Sequence, residues 1–145
     1  MIEIKNVSKS FGKLEVLKNV SLNFEAGECI ALIGPNGCGK TTLIKSILGM
    51  VLPNNGEIFV KGENIKNQFA YRNYIGYMPQ IGRYPENMKI GQVLETIKQI
   101  RDSKNALDEE LIETYKLPGM INKAMRTLSG GTTQKVSAAL AFMFN

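Results

Sequence analysis

Eight consecutive residues, Gly34-Pro35-Asn36-Gly37-Cys38-Gly39-Lys40-Thr41, meet the pattern G-x-x-x-x-G-K-[ST] at every fixed position. Such a loop constrains the fold because it works only when a strand delivers it and a helix receives it. Its glycines let the chain curl so that successive backbone N–H groups face phosphate oxygens. Lys40 is placed to reach β- and γ-phosphates, and the Thr41 hydroxyl to ligate a bridging Mg²⁺. The flanks agree with this reading. Cys29-Ile30-Ala31-Leu32-Ile33 is an apolar run suited to a strand buried on both faces. Thr42-Leu43-Ile44 and Ile47-Leu48 then repeat at helical spacing, predicting a helix from Lys40 to about Met50. That helix would present its positive end to the anion.

Around this loop the first 30 residues read as strands. Ile2, Ile4 and Val7 alternate, as do Val16, Val20, Leu22 and Phe24, with Phe11-Gly12 as the turn between them. Pro53-Asn54-Asn55-Gly56 is a turn signal, Glu57–Gly62 a further strand, and Tyr74–Met78 another, stopped by Pro79. After Gln80 the pattern becomes helical. Val93, Leu94, Ile97 and Ile100 form one stripe. Leu107, Leu111, Ile112 and Tyr115 form a second, with Asp108, Glu109 and Glu110 in its first turn. A last helix starts near Ser129 and buries Val136, Leu140 and Met143 or Phe144. Strands first and helices later predict an α/β chain: residues 1–80 a sheet lobe, 81–128 a helical subdomain, 129–145 the start of the last helix.

Composition excludes several alternatives. At 145 residues and 43% hydrophobic, the chain can bury a core of about one domain without staples. Its longest apolar stretch, Ala138–Phe144, is far too short to span a bilayer, and the N-terminus has no signal-peptide pattern. The two cysteines, Cys29 and Cys38, lack metal spacing and suit a reducing compartment. Cys38, in an electropositive loop, reads either as a reactive thiol or as a small tolerated residue. The net charge of +5 is spread evenly: six basic against four acidic residues in 1–50, the same in 51–100, and six against five in the remainder. Without a basic cluster or interleaved aromatics, no nucleic-acid partner is expected. Mild basicity would also suit anionic lipid headgroups.

Leu128-Ser129-Gly130-Gly131 supplies a second motif. In isolation it reads either as a Ser-capped helix start or as a second phosphate cradle, a hydroxyl and two glycine N–H groups at a helix N-terminus. Behind a phosphate loop, the pair resembles the ATP-binding cassette (ABC) ATPases of ABC transporters, in which this tetrapeptide is the signature motif. The resemblance runs over the whole chain. It implies a P-loop NTPase core with N-terminal antiparallel strands and a helical subdomain. It places Phe11 where the family stacks an aromatic on adenine, against the alternative of a strand-end core Phe. Val16 becomes the apolar neighbour of base and ribose, and Gly56-Glu57-Ile58 the family's turn after the loop helix. Gln80, after Tyr77-Met78-Pro79, matches the glutamine that touches Mg²⁺ and the attacking water and senses the transmembrane partner.

The implied site residues are therefore Phe11, Val16, Gly34, Pro35, Asn36, Gly37, Cys38, Gly39, Lys40, Thr41 and Thr42 for the nucleotide, with Ser129, Gly130 and Gly131 acting on a partner cassette's ATP. Lys40 and Gln80 are the implied catalytic residues, and Thr41 and Gln80 the implied Mg²⁺ contacts. The family's signature continues with Gln and then Arg; Thr132 and Lys135 stand there, and Gln134 is retained. Lys for Arg loses a bidentate fork. The family also has a strand ending in Asp-Glu and a switch histidine, and residues 1–145 contain neither. The resemblance thus implies a cassette truncated after the signature, with an incomplete central sheet and its general base beyond residue 145. It further implies an ATP-binding subunit at the inner face of the cell membrane. A transmembrane permease and a second, head-to-tail cassette are its implied partners, and these residues alone bind ATP without turnover. The alternative is a non-transport member acting on ribosomes or DNA.

Overall fold

The most extensive strand pairing among the described residues is between the first two strands. In the computed structural model, which describes residues 1–101 and 107–144, β1 (Ile2–Phe11) and β2 (Leu14–Phe24) form an antiparallel hairpin. Gly12, at φ +58°, makes the turn that L side chains resist. β3 (Asn55–Val60) pairs with the other side of β1, and the short β4 (Glu63–Asn64) completes the order β2-β1-β3-β4. Ile4, Val7, Leu17 and Ile58 project from this sheet onto Leu43 of α1 (Lys40–Ile47) to make one core. Ile4 and Val7 are an odd number of residues apart, so both reach this core only because a bulge between them resets the alternation. Register shifts in the hairpin follow Asn6 and Asn19, both at positive φ. Side chains hold these bulges: Ser21 Oγ accepts from Asn6 N at 2.9 Å, and Ser8 Oγ from Asn19 N at 2.9 Å.

α1 ends earlier than its pattern suggests, because Gly49 turns into the left-handed region at φ +67°. Arg72 closes that end. Its guanidinium donates to Leu48 O at 3.0 Å and Gly49 O at 3.2 Å, placing a cation on the negative helix terminus. These elements belong to a compact unit covering Met1–Arg72.

A second compact unit covers Asn73–Asn145. It holds α2 (Ile90–Arg101), α3 (Glu110–Thr114) and α4 (Gly130–Phe142), with short 3-10 turns at Leu117–Met120 and Met125–Thr127 between α3 and α4. Its core is Ile90, Val93, Leu94, Ile112, Leu117, Met125, Val136, Ala139 and Met143. Of the expected last-helix residues, Val136 and Met143 are fully buried, while Leu140 and Phe144 pack at the margin. α3 is shorter than its stripe because Asp108 Oδ1 accepts Glu110 N at 2.9 Å, fixing a turn before the helix begins. Backbone bonds stitch the unit together, among them Met125 N to Met88 O at 2.8 Å and Ile90 N to Lys123 O at 3.0 Å. Residues 102–106 of the expected helical segment lie outside the described residues.

Two expected strands are not strands. Cys29–Ile33 and Ile75–Met78 run without regular structure, and Tyr74 ends a 3-10 turn over Ala70–Tyr74. Instead of being buried on two faces, Ile33 is 90% exposed, and Ile30, Leu32, Tyr77 and Met78 are exposed as well. A strand exists only if a neighbouring backbone takes its N–H and C=O groups. Among the described residues no strand lies alongside either segment. Ile30 and Leu32 instead line an apolar cleft of about 380 Å³, together with Phe24, Leu43, Ile44 and Ile47.

Candidate phosphate-binding site

The phosphate loop is shaped by its own glycines and by one close contact. Pro35–Cys38 forms a turn closed by Cys38 N donating to Pro35 O at 3.4 Å, with Gly37 at φ +82° inside it. Gly39, at φ +99°, caps α1, and its carbonyl accepts Leu43 N at 2.8 Å. A Cβ on Gly39 would lie 2.9 Å from Val16 O and 3.0 Å from Leu17 Cδ2. The loop is therefore seated directly on β2, and Gly39 is glycine for two reasons at once.

Lys40 folds back under the loop. Its ammonium donates to Gly34 O and Pro35 O, each at 2.7 Å, and lies 3.6 Å from Cys38 Sγ. Above it, the N–H groups of Lys40, Thr41 and Thr42 find no acceptor among the described residues, as the first turn of any helix leaves them. No acidic residue sits in that turn to offset the dipole. Thr41 is exposed, and Thr42 is half-buried with its carbonyl accepting Ser46 Oγ at 2.9 Å. This set of free donors, one ammonium and one exposed hydroxyl matches a phosphate chain. For a hard cation it offers one neutral oxygen, Thr41 Oγ1. Among the described residues no group of three His, Cys, Asp or Glu could hold a metal. A Mg²⁺ here would draw most of its oxygens from phosphate and water, which is how that ion is commonly held.

Phe11 and Val16 belong to the same unit as the loop. Phe11 is not a core residue: it ends β1 51% exposed, with Lys9 Nζ 5.1 Å from its ring centroid. Val16 is half-buried beside Gly39. Gly56 presses on β1, where a Cβ would come within 2.4 Å of the Lys5 and Asn6 carbonyl oxygens.

The remaining candidates lie in the second unit. Gln80 is exposed on an irregular segment. Ser129 caps α4: its Oγ accepts Thr132 N at 3.3 Å and shares a hydrogen bond with Thr132 Oγ1 at 2.9 Å. Thr132 thus completes the local cap, while Lys135 lies over the Tyr115 ring at 5.8 Å. Gly130 and Gly131 are exposed, adopt no positive φ, and a Cβ on either would meet nothing within 4 Å. Local packing gives no reason for either to be glycine.

Spacing could not reveal the seating of Gly39 on Val16 or the carbonyl partners of Lys40. The first depends on how the hairpin lies against the loop, the second on how the loop itself curls back over Lys40. Nor could it reveal Arg72, whose contact with Leu48 spans 24 residues.

Comparison with known proteins agrees with these features. The sulfate/thiosulfate import ATP-binding protein CysA of Thermosynechococcus vestitus is 37% identical over 144 residues, covering 97% of this chain and 43% of that protein. The spermidine/putrescine import ATP-binding protein PotA of Fusobacterium nucleatum is 34% identical over 146 residues, covering 98% and 39%. The molybdate/tungstate import ATP-binding protein WtpC of Methanocaldococcus jannaschii is 31% identical over 151 residues, covering 100% and 50%. The chain thus spans half or less of the length of these relatives. A solved ATP-binding subunit of an ABC transporter superposes with a TM-score of 0.86 at 27% identity, covering 97% of this chain and 61% of that one. An ABC transporter ATP-binding protein from Pyrococcus furiosus gives 0.80 at 26%, covering 99% and 70%. The α/β fold is that of the ABC ATPase P-loop domains. The ABC transporter family profile matches residues 17–145, a span that includes both the phosphate loop and Leu128–Gly131, and the chain belongs to that family.

Proposed function

We propose that this chain is the nucleotide-binding part of an ATP-binding subunit that powers an ABC importer. The observation that carries the reading is the phosphate cradle: free N–H groups at the start of α1, the Lys40 ammonium, and the exposed Thr41 hydroxyl on one loop. On ATP binding, Lys40 would exchange two neutral carbonyl acceptors for charged phosphate oxygens, a stronger class of hydrogen bond. The exposed ring of Phe11 supports a stacking role on the adenine, with Val16 beside it. Gly34–Thr42 would hold the phosphates, and Thr41 and Gln80 would contact Mg²⁺, which neutralises developing charge when bound. The direction of transport comes from the relatives, which are named as importers. Their cargoes range from oxyanions to polyamines, so this part of the chain does not read the cargo.

The signature residues support the dimeric arrangement of the family. A glycine in a helix's first turns costs up to about 1 kcal/mol relative to alanine. Nothing inside the second unit requires that cost at Gly130 or Gly131. Close approach by an external phosphate does, so Ser129, Gly130 and Gly131 would act on ATP held by a second, head-to-tail cassette. Residues 81–128 serve as the helical subdomain, and a permease at the inner face of the membrane is the mechanical partner. Water activation is assigned to a residue outside 1–145. No helix among the described residues is long and apolar enough to cross a membrane. The evenly spread charge and the importer relatives favour this reading over one on ribosomes or DNA.

Titration of the full-length protein with Mg²⁺-ATP tests the proposal. Lys40→Ala should weaken binding at least about tenfold, or 1.4 kcal/mol, while leaving the unfolding transition in place. Equal affinity in the two proteins would refute it.

A further inference from the structure

We infer that Asn36-Gly37 is a spontaneous deamidation site whose conversion disables the phosphate loop. The chain contains two Asn-Gly pairs, Asn36-Gly37 and Asn55-Gly56, and the fold treats them oppositely. Asn36 and Gly37 are both exposed at the centre of the Pro35–Cys38 turn. Among the described residues neither the Asn36 side-chain amide nor the Gly37 N–H has a hydrogen-bond partner. A Cβ at Gly37 would meet nothing within 4 Å. The peptide between them can therefore swing until the Gly37 nitrogen faces Asn36 Cγ, a motion that glycine's freedom permits. Asn55 and Gly56 are exposed as well, but Asn55 is paired with Ser8 in the β1–β3 ladder. Gly56 lies so close to the Lys5 and Asn6 carbonyls that the position of a Cβ is within 2.4 Å of both oxygens. That peptide has no room to turn.

The chemistry needs only water. The Gly37 nitrogen attacks Asn36 Cγ, a new N–Cγ bond forms, and the Cγ–Nδ2 bond breaks. Ammonia leaves with the proton from Gly37. Water then opens the five-membered imide at either carbonyl, giving aspartate or isoaspartate. Attack by nitrogen also removes the Gly37 N–H while the imide lasts. Aspartate sets a negative charge among donors arranged for phosphate, and isoaspartate additionally lengthens the backbone by one methylene inside the loop. The consequence for nucleotide binding rests on the proposed function; the reaction at Asn36 does not.

Full-length protein aged in warm, mildly alkaline buffer tests both parts. Peptide mass spectrometry and isoaspartate methyltransferase labelling would follow residues 36 and 55 separately. In the folded protein conversion at Asn36 should outrun that at Asn55, and in denaturant the two should converge. Conversion at Asn36 no faster than at Asn55 in the folded state would overturn the inference. Mg²⁺-ATP should slow conversion at Asn36 by holding the loop closed. If Asn36 converts equally fast with and without ATP, the modification stands and the phosphate-binding reading fails. Asn36→Asp should lower nucleotide affinity about tenfold, the scale of one added like charge near the site. Wild-type affinity in that variant would remove the disabling effect.

Discussion

Alanine at Gly39 and alanine at Gly37 separate two reasons for glycine that usually occur together. Both residues have positive φ, +99° and +82°, so both substitutions incur a left-handed penalty of about 1–2 kcal/mol. Part of it is offset, by about 0.4–1 kcal/mol, because alanine restricts the unfolded chain. Gly37→Ala meets open space and should stop there, at a net loss of about 0.5–1.5 kcal/mol. Gly39→Ala would also press its methyl against Val16 O at 2.9 Å, Leu17 Cδ2 at 3.0 Å and Val16 Cγ1 at 3.3 Å. Two of these neighbours, the Val16 carbonyl and the buried Leu17, belong to β2 and cannot rotate aside cheaply. Overpacking of this kind adds about 1–3 kcal/mol, bringing the total to about 2–4 kcal/mol. With a urea m-value of about 2 kcal/mol/M, the midpoint should fall by about 1–2 M for Gly39→Ala and by less than about 1 M for Gly37→Ala. Far-UV circular dichroism during a urea titration measures both. Midpoints agreeing within about 0.3 M would mean that the loop is not seated on Val16, and the account of the site would have to be abandoned.

Other substitutions probe the remaining links. Gly131→Ala should raise stability by up to about 1 kcal/mol in thermal unfolding, since nothing obstructs its methyl, yet lower ATP turnover of the full-length protein. Unchanged turnover would argue against a role for the signature glycines. Ser129→Ala should cost about 0.5–2 kcal/mol through the lost cap to Thr132 N, read from the same melts. Phe11→Ala removes a half-exposed ring and should alter stability by less than about 0.5 kcal/mol. Its ATP affinity should fall while that for inorganic triphosphate does not; a parallel loss of both would place the ring elsewhere than on the base. Ile90→Ala, at the centre of the second core, should cost about 2–5 kcal/mol by denaturant titration, and a loss under about 1 kcal/mol would contradict its burial.

Local chemistry makes the phosphate loop, the signature and the main helices legible in the residues alone. The glycines and Lys40 of the loop are required by backbone geometry and charge, which operate over a few residues. The cap at Ser129 is a contact across three residues, and α2 and α4 follow from apolar spacing. Periodicity misled at Cys29–Ile33 and Tyr74–Met78. An apolar run announces what a strand would bury, but only a partner backbone makes it a strand.

The order of residues was thus enough to settle the family and the elements whose bonds are local: phosphate loop, hairpin, capped helices. Packing between distant segments settled why Gly39 must be glycine and that Arg72 closes α1. It also settled that Asn36-Gly37 is loose while Asn55-Gly56 is clamped. The two pairs are identical as dipeptides, and what separates them is the presence of a second backbone against one and open space around the other.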